Sequence, residues 1–141
     1  MILAGREKAK ELSRDPAIEI RIVSYAQARV AKGMMPIANV PASNTALERA
    51  GIGIGDVKAI TSHTPFALND VYFAREMGID TAEMNRYGCS LVWGHPQAPT
   101  GLRGIMELIE ELAILGGGYG LFTGCAAGDT AAALVIEVLA E

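Results

Sequence analysis

The sequence predicts an α/β domain built from layers of helices and strands. Short runs of apolar and β-branched residues alternate with amphipathic segments, a pattern typical of α/β folds rather than of helix bundles or β-sandwiches. The chain has 141 residues, of which 50% are hydrophobic and 20% charged, so it is long and apolar enough to form a substantial core. No stretch resembles a linker, an internal repeat or a low-complexity tract. We therefore treat residues 1–141 as one domain.

The first predicted elements are a short helix and a strand. Residues 6–12 have the charged, helix-favouring composition of a surface helix. Residues 18–25 alternate apolar and polar side chains with a period of two, which predicts a strand with one buried face. The residues on that face are Ile18, Ile20 and Ile22.

The middle of the chain contains a helix, a strand and a second helix. The first helix begins at Pro41 and stops at Gly51, because proline suits the first turn of a helix and glycine suits its C-terminal cap. Residues 57–61 form a short apolar strand, and residues 66–77 have helical spacing. His63 falls at the junction of these two elements. Such junctions are where α/β domains place residues that contact ligands.

The last third of the chain predicts a helix followed by two strands. Residues 100–115 carry an apolar stripe at helical spacing, and three consecutive glycines end the helix. Two strands, 119–123 and 131–139, enclose a glycine-rich, hairpin-like loop that contains Cys125. The second strand is apolar enough to need cover on both faces.

Composition and charge exclude several classes of function. The net charge of −4, with no cluster of basic residues, argues against binding to nucleic acids or to membrane surfaces. No apolar run is long enough to span a bilayer and no signal peptide is recognisable, so we expect a cytoplasmic protein. The two cysteines lack metal-binding spacing, and that compartment disfavours a disulfide between them. Small molecules or proteins are the expected partners, and no metal is expected.

Two reactive side chains lie in glycine-rich settings about thirty residues apart. Pro96 restricts His95 to extended geometry and Gly94 permits close approach of a neighbour, so this segment presents an imidazole from a loop. Cys125 is the second reactive group. From these residues alone, His95 is more often a turn histidine with a satisfied hydrogen bond than a catalytic one. A turn-forming His63 and a small buried apolar Cys125 remain alternatives.

Four ordered blocks of this chain resemble the C-terminal half of thiolases, enzymes that make or cleave 3-ketoacyl-CoA thioesters. The blocks are Val40-Pro41-Ala42 with Ala46-Leu47 and Ala50-Gly51; His63-Thr64-Pro65-Phe66; Asn85 to Pro96 with Thr100-Gly101-Leu102-Arg103; and Tyr119 through Cys125 to Glu137. The second block departs from the family's Asn-Glu-Ala-Phe and is closer to the His-Asp-x-Phe of the sterol-carrier and archaeal branches. In the last block, Cys125-Ala126-Ala127 stands where the family has Cys-x-Gly.

The resemblance implies a role for each candidate residue. His95 would lower the pKa of a nucleophilic thiol and donate to the enolate oxygen, and Cys125 would be the general base, which needs a site that favours the thiolate. The backbone N–H groups of Ala127 and Gly94 would stabilise oxyanions. His63 would hold a water molecule or donate to the thioester oxygen. Cys89 occupies the position of a family glycine, which indicates a small residue at a close backbone approach.

The resemblance also implies what surrounds this chain. The fold would be a thiolase-like half with a mixed sheet of about five strands and helices on both faces, its first strand truncated near residues 1–4. The nucleophilic cysteine belongs to the family's N-terminal half, which has no counterpart in these residues. The expected partners are therefore acyl-CoA and CoA, an N-terminal thiolase half or subunit, and further copies in a homo- or hetero-oligomer. Acyl-CoA and CoA would be substrates, so the resemblance implies no cofactor. The residues that contact CoA are not indicated.

Three functions remain open from the sequence. The favoured one is the catalytic half of a thiolase, which performs acyl transfer to CoA, Claisen condensation or thiolytic cleavage. The second is a thiolase-like scaffold or binding subunit that is itself inactive. The third is an unrelated α/β domain that binds a small ligand through its glycine-rich loops.

Overall fold

Four strands form a mixed sheet in the computed structural model, which describes residues 1–140. They are β1 (Ile18–Arg29), β2 (Val57–His63), β3 (Gly118–Ala126) and β4 (Thr130–Ala140), arranged in the order β1-β4-β3-β2. β4 pairs antiparallel with both of its neighbours, and β2 runs parallel to β3. This confirms the predicted fold class. The sheet has four strands rather than about five, because residues 1–4 are exposed and form no ladder.

Helices cover both faces of the sheet. The α-helices are α1 (Arg6–Leu12), α2 (Asn39–Ala50), α3 (Ala67–Met77), α4 (Ser90–Trp93) and α5 (Thr100–Ile114). α2 and α3 pack on one face, and α5 packs on the other. α2 begins two residues earlier than predicted, since Pro41 lies in the first turn, where its missing N–H breaks no helical hydrogen bond. Gly51 ends this helix in the left-handed conformation, as predicted.

Strand alternation divides the core into two layers. On the α2 and α3 side the layer includes Leu121 and Val135, and on the α5 side it includes Phe122 and Ile136. α5 lies very close to β3, because a Cβ added to Gly120 would sit 2.7 Å from a methyl group of Leu112. Only glycine allows this approach.

The predicted burial of one face of β1 is wrong for Ile20 and Ile22, whereas Ile18 is partly buried against the α5-side core. Ile20 is 46% exposed and Ile22 is 49% exposed, although both lie on the α5 side of the sheet. α5 packs against β2, β3 and β4, so it leaves the β1 part of that face open. A β-bulge between Ile22 and Ser24 then places Ser24 and Ala26 in the layer under α2. Within residues 1–140, no other helix covers the exposed apolar strip that contains Ile20 and Ile22.

The parallel pair β2 and β3 brings two predicted site residues to the carboxyl-terminal ends of these strands. His63, the last residue of β2, is paired with Gly124, and Cys125 follows in β3. The prediction that Cys125 lies in a loop is wrong, because the β3 and β4 ladder continues through Cys125 and Ala126. Cys125 is consequently buried, at 7% exposure. The turn itself comprises residues 127–129.

The segment between α3 and α5 is fixed to the sheet and to α5. The Asn85 N–H donates to the Ile60 carbonyl at 2.8 Å, which joins this segment to β2. Arg86 donates to Glu111 of α5 at 2.7 Å, and that carboxylate is only 3% exposed. The segment therefore holds a defined position over the end of the sheet. None of the helices within residues 1–140 has the length and hydrophobicity needed to cross a membrane.

Candidate active site

The structure brings the two histidines of the chain into direct contact. His63 ends β2 and His95 follows α4, and their ring centroids lie 4.2 Å apart with the ring planes tilted by 32°. Gly94 makes this possible, since its φ of 86° turns the chain sharply after α4. His95 is exposed, whereas His63 is 8% exposed. Two residues that are 32 positions apart in sequence thus form one imidazole pair.

A hydroxyl group orients each imidazole. His63 Nδ1 lies 2.6 Å from Ser90 Oγ, and His95 Nδ1 lies 2.9 Å from Thr100 Oγ1. These contacts leave the Nε2 atom of each ring without a hydrogen-bond partner within residues 1–140. The sequence prediction missed both hydroxyl residues. Thr100 is five residues from His95, on the far side of a proline-rich turn, which is a weak signal, and nothing in the sequence links Ser90 to His63.

Burial makes His63 a neutral group at physiological pH. Loss of hydration is the larger cause and the neighbouring His95 the smaller, and together they lower the pKa of His63 from 6.5 to about 4. A neutral imidazole carries one N–H and one bare nitrogen. His63 therefore has a hydrogen bond to offer without a positive charge.

Cys125 lies one strand away from the imidazole pair. Its side chain belongs to the core layer under α2 and α3, and Asn69 of α3 donates to its Sγ at 3.4 Å. We find no hydrogen bond between this thiol and either histidine in the described part of the chain. Burial raises the pKa of Cys125, and the hydrogen bond from Asn69 only partly opposes that rise. The thiolate-favouring setting that the sequence resemblance implied is therefore absent from this chain alone.

The two predicted backbone donors differ in availability. Ala127 is exposed in the β3–β4 turn, and its N–H makes no hydrogen bond within residues 1–140. The Gly94 N–H already donates to the Ser90 carbonyl at 3.0 Å. Ala127, two residues after Cys125, is thus the donor that remains free within residues 1–140. Asp129 anchors the same turn, because its Oδ1 accepts a hydrogen bond from the Gly33 N–H at 3.0 Å.

A cleft next to the histidines separates α4 from α5. Its lining includes Cys89, Trp93 and Arg103, and the guanidinium of Arg103 lies 4.4 Å from the centre of the Trp93 ring. The close backbone approach expected at Cys89 occurs instead at Gly88, where an added Cβ would lie 2.5 Å from Trp93 Nε1. Cys89 is partly buried. Across residues 1–140, no three acidic, histidine or cysteine side chains come close enough together to bind a metal ion.

Comparison with known proteins identifies the family of this chain. A family model described as the C-terminal domain of thiolase matches residues 17–138. The chain belongs to the thiolase family. The 3-ketoacyl-CoA thiolase of Escherichia coli O1:K1 is 36% identical over 156 residues, which cover 97% of this chain and 35% of that protein. The acetyl-CoA acetyltransferase of Syntrophomonas wolfei is also 36% identical, over 99% of this chain and 35% of its own length.

The thiolase fold extends over almost the whole chain. The crystal structure of the Bacillus anthracis acetyl-CoA acetyltransferase superposes with a TM-score of 0.86 and 33% identity, over 94% of this chain and 33% of that one. This confirms the resemblance that the sequence motifs indicated. The chain spans about a third of the length of the thiolases that it matches.

Proposed function

We propose that this chain supplies the histidine and general-base half of a thiolase active site. The half that carries the nucleophilic cysteine would complete the site, and the assembled enzyme would cleave 3-ketoacyl-CoA with CoA or form it by Claisen condensation. The observation that carries the proposal is the imidazole pair of His63 and His95, at the sheet edge where Cys125 and the free N–H of Ala127 also lie. Such a reaction requires a base, an acyl-carrying nucleophile and donors for two oxyanions.

The hydroxyl partners support the role of the histidines as donors. When Ser90 Oγ–H donates to His63 Nδ1, the ring carries its proton on Nε2 and offers that N–H to an oxygen. Thr100 acts on His95 in the same way. His95 would donate to the enolate oxygen, and His63 would hold a water molecule or donate to the thioester oxygen. A neutral donor stabilises the growing negative charge without being consumed as an acid.

Cys125 would act as the base in the condensation direction. Its thiolate removes the α-proton of an acyl-CoA, and the resulting enolate attacks the acyl group carried by the partner half, whose thiolate then leaves. The raised pKa of Cys125 makes this thiolate scarcer but more basic. In the direction of cleavage, the Cys125 thiol returns the proton to the departing enolate. The Ala127 N–H would support the second oxyanion hole.

The open strip on β1 supports a partner half. Ile20, Ile22 and Tyr25 lie exposed on the same side of the sheet, beside the area that α5 covers. Monomeric proteins rarely leave a contiguous apolar sheet face in water. A helix of the partner half packed beside α5 would cover it. A cytoplasmic location and assembly into larger oligomers remain predictions from the sequence.

A thiolysis assay tests the proposal. Acetoacetyl-CoA and CoA are supplied to the purified chain alone, to the N-terminal half of a thiolase from the same organism, and to the mixture. We expect cleavage only in the mixture. His95→Ala and Cys125→Ala should each lower kcat by at least about a hundredfold, since a positioned general acid or base contributes that much. Cys89→Ala is the matched control for the second cysteine and should retain activity.

The inactive scaffold is the second candidate, and the burial of Cys125 favours it. An inactive mixture whose halves nevertheless associate tightly would support the scaffold and contradict the catalytic proposal. Activity that persists in Cys125→Ala would instead show that another group is the base.

A further inference from the structure

A carboxylate on α3 binds the strand end that carries His63. Thr64 Oγ1 donates to both oxygens of Asp70, at 2.8 and 2.9 Å, and Ser62 Oγ donates to Asp70 Oδ1 at 2.7 Å. Ser62 and Thr64 are the residues immediately before and after His63. Because side chains alternate along a strand, both hydroxyls point to the face opposite the imidazole. Asp70 therefore fixes the backbone of His63 through both of its neighbours, from the face of the sheet opposite the imidazole.

Asn85 closes this arrangement from a third segment. Its Nδ2 donates to Asp70 Oδ2 at 2.9 Å and to Ser62 Oγ at 2.8 Å, while its Oδ1 accepts from the Ser62 N–H at 2.7 Å. Asn85 adopts a φ of 50°, a left-handed conformation that is uncommon outside glycine. The network thus joins α3, the end of β2 and the segment that leads to Ser90. Ser90 is the residue that holds His63 Nδ1.

The polar side chains of this network lose hydration on burial, which is unfavourable for stability. Thr64 is fully buried and Ser62 is almost so, and within residues 1–140 no basic side chain forms an ion pair with Asp70. Asp70 itself is only partly buried and lies in the first turn of α3, so hydrogen bonds, the helix N-terminus and solvent together stabilise its charge. Apolar side chains of similar volume would fill such a space without the loss of hydration that buried polar groups suffer. What the network supplies instead is a fixed geometry, since each bond restricts the position of its partner.

We infer that Asp70 is a positioning residue for His63. Its carboxylate fixes Ser62, Thr64 and Asn85, so that the imidazole stays on Ser90 Oγ and against the ring of His95. The purpose of this positioning rests on the proposed function, because a fixed His63 Nε2 is useful where it faces a substrate oxygen. The contact itself does not depend on that function and is measurable in the chain alone.

The test follows His63 by NMR in the full chain labelled with ¹⁵N at histidine. The wild-type ring should show one fixed tautomer and titrate near pH 4. In Asp70→Asn we expect a mixture of tautomers and a midpoint displaced from about 4 toward the ordinary 6.5, because the ring gains access to water. The matched control is Glu76→Gln, which removes a carboxylate from the exposed side of the same helix and should leave the titration of His63 unchanged.

A second pair of variants decides the question if Asp70→Asn fails to fold. Thr64→Val keeps the shape of the side chain but removes the hydroxyl, and it should displace the His63 midpoint in the same direction. Thr64→Ser restores the hydroxyl and should return the wild-type titration. A His63 that titrates as in wild type in Asp70→Asn or Thr64→Val, with only the unfolding free energy lowered, would overturn the inference and leave Asp70 a structural role.

The thiolysis assay separates this inference from the proposed function. Asp70→Asn and Thr64→Val are also assayed for thiolysis in the mixture with the N-terminal half. A displaced titration without any thiolysis, in wild type or variant, would refute the proposed function and retain the positioning role. An unchanged titration with normal thiolysis would refute only the role of Asp70.

Discussion

Acid should destabilise this chain through His63. Burial and the neighbouring His95 lower the pKa of the folded-state imidazole from 6.5 to about 4, whereas the unfolded chain exposes the ring to water. Between those two values the unfolded chain binds a proton that the folded chain does not. Lowering the pH through this window therefore favours unfolding, and well above pH 6.5 the contribution of His63 to stability is constant.

The size of the loss follows from the interval between the two pKa values. From 6.5 to about 4, at 1.36 kcal/mol per pKa unit, the full effect is about 3 kcal/mol, and about 2 kcal/mol of it is lost between pH 7 and pH 5. Glu19 does not interfere in that range. A hydrogen bond from Arg6 holds the pKa of Glu19 below 4.5, so its contribution to stability is lost only when the pH falls further.

Urea unfolding followed by circular dichroism at pH 7 and pH 5 measures the effect. The wild-type chain should lose about 2 kcal/mol more than His63→Gln, whose side chain does not titrate. His95→Gln should reduce the loss, because it removes the second cause of the low pKa. Equal losses in the wild-type chain and in His63→Gln would refute the argument, since they would show that His63 titrates alike in the folded and unfolded chains.

Three further substitutions probe packing and the thiol. Gly120→Ala forces a methyl group into the side chains of α5 and should lower the unfolding free energy by about 1–3 kcal/mol. Gly55→Ala is the control, because no atom lies near the added carbon, and it should not lower the unfolding free energy. Urea titration measures both. Arg86→Met leaves its buried carboxylate partner unpaired and should cost about 3–5 kcal/mol in the same measurement; a loss under 1 kcal/mol would contradict the pairing. Asn69→Leu removes the donor to Cys125 and should raise the pKa of its thiol further. The ultraviolet absorbance of the thiolate, followed against pH with the other cysteine changed to serine, measures this pKa. A titration midpoint that stayed the same or fell would contradict the prediction.

The sequence predicted the elements well because most of their signals are local. The period-two pattern of residues 18–25 and the cap at Gly51 depend on neighbouring residues only. β1 begins at the predicted residue and continues to Arg29, and α2 ends at the predicted glycine. The burial of Ile20 was predicted wrongly because alternation reveals which residues share a face and not which element covers that face. Coverage depends on where α5 packs, which is a property of the whole sheet.

The candidate site was predicted only in part, for a related reason. His63, His95 and Cys125 were chosen for their chemistry and motifs, which a sequence displays. The strand position of Cys125 was missed, because its glycine-rich surroundings suggested a loop while the ladder to Ala131 extended the strand. The partners Ser90 and Asp70 were missed because serine and aspartate are common residues, and only the folded chain brings them to His63.

The three side chains of the site differ in how firmly their backbones are held, and this has a consequence for assembly. His63 and Cys125 lie in continuous strand ladders, whereas His95 belongs to residues 94–99, which lie outside every strand and helix. Ordering a residue on complex formation costs conformational entropy, so a partner half would find two of these groups preorganised at no further cost. The entropic penalty of completing the site would then be concentrated in the short segment around His95. Substitutions that stiffen residues 94–99 should accordingly tighten association between the halves while leaving the sheet unchanged.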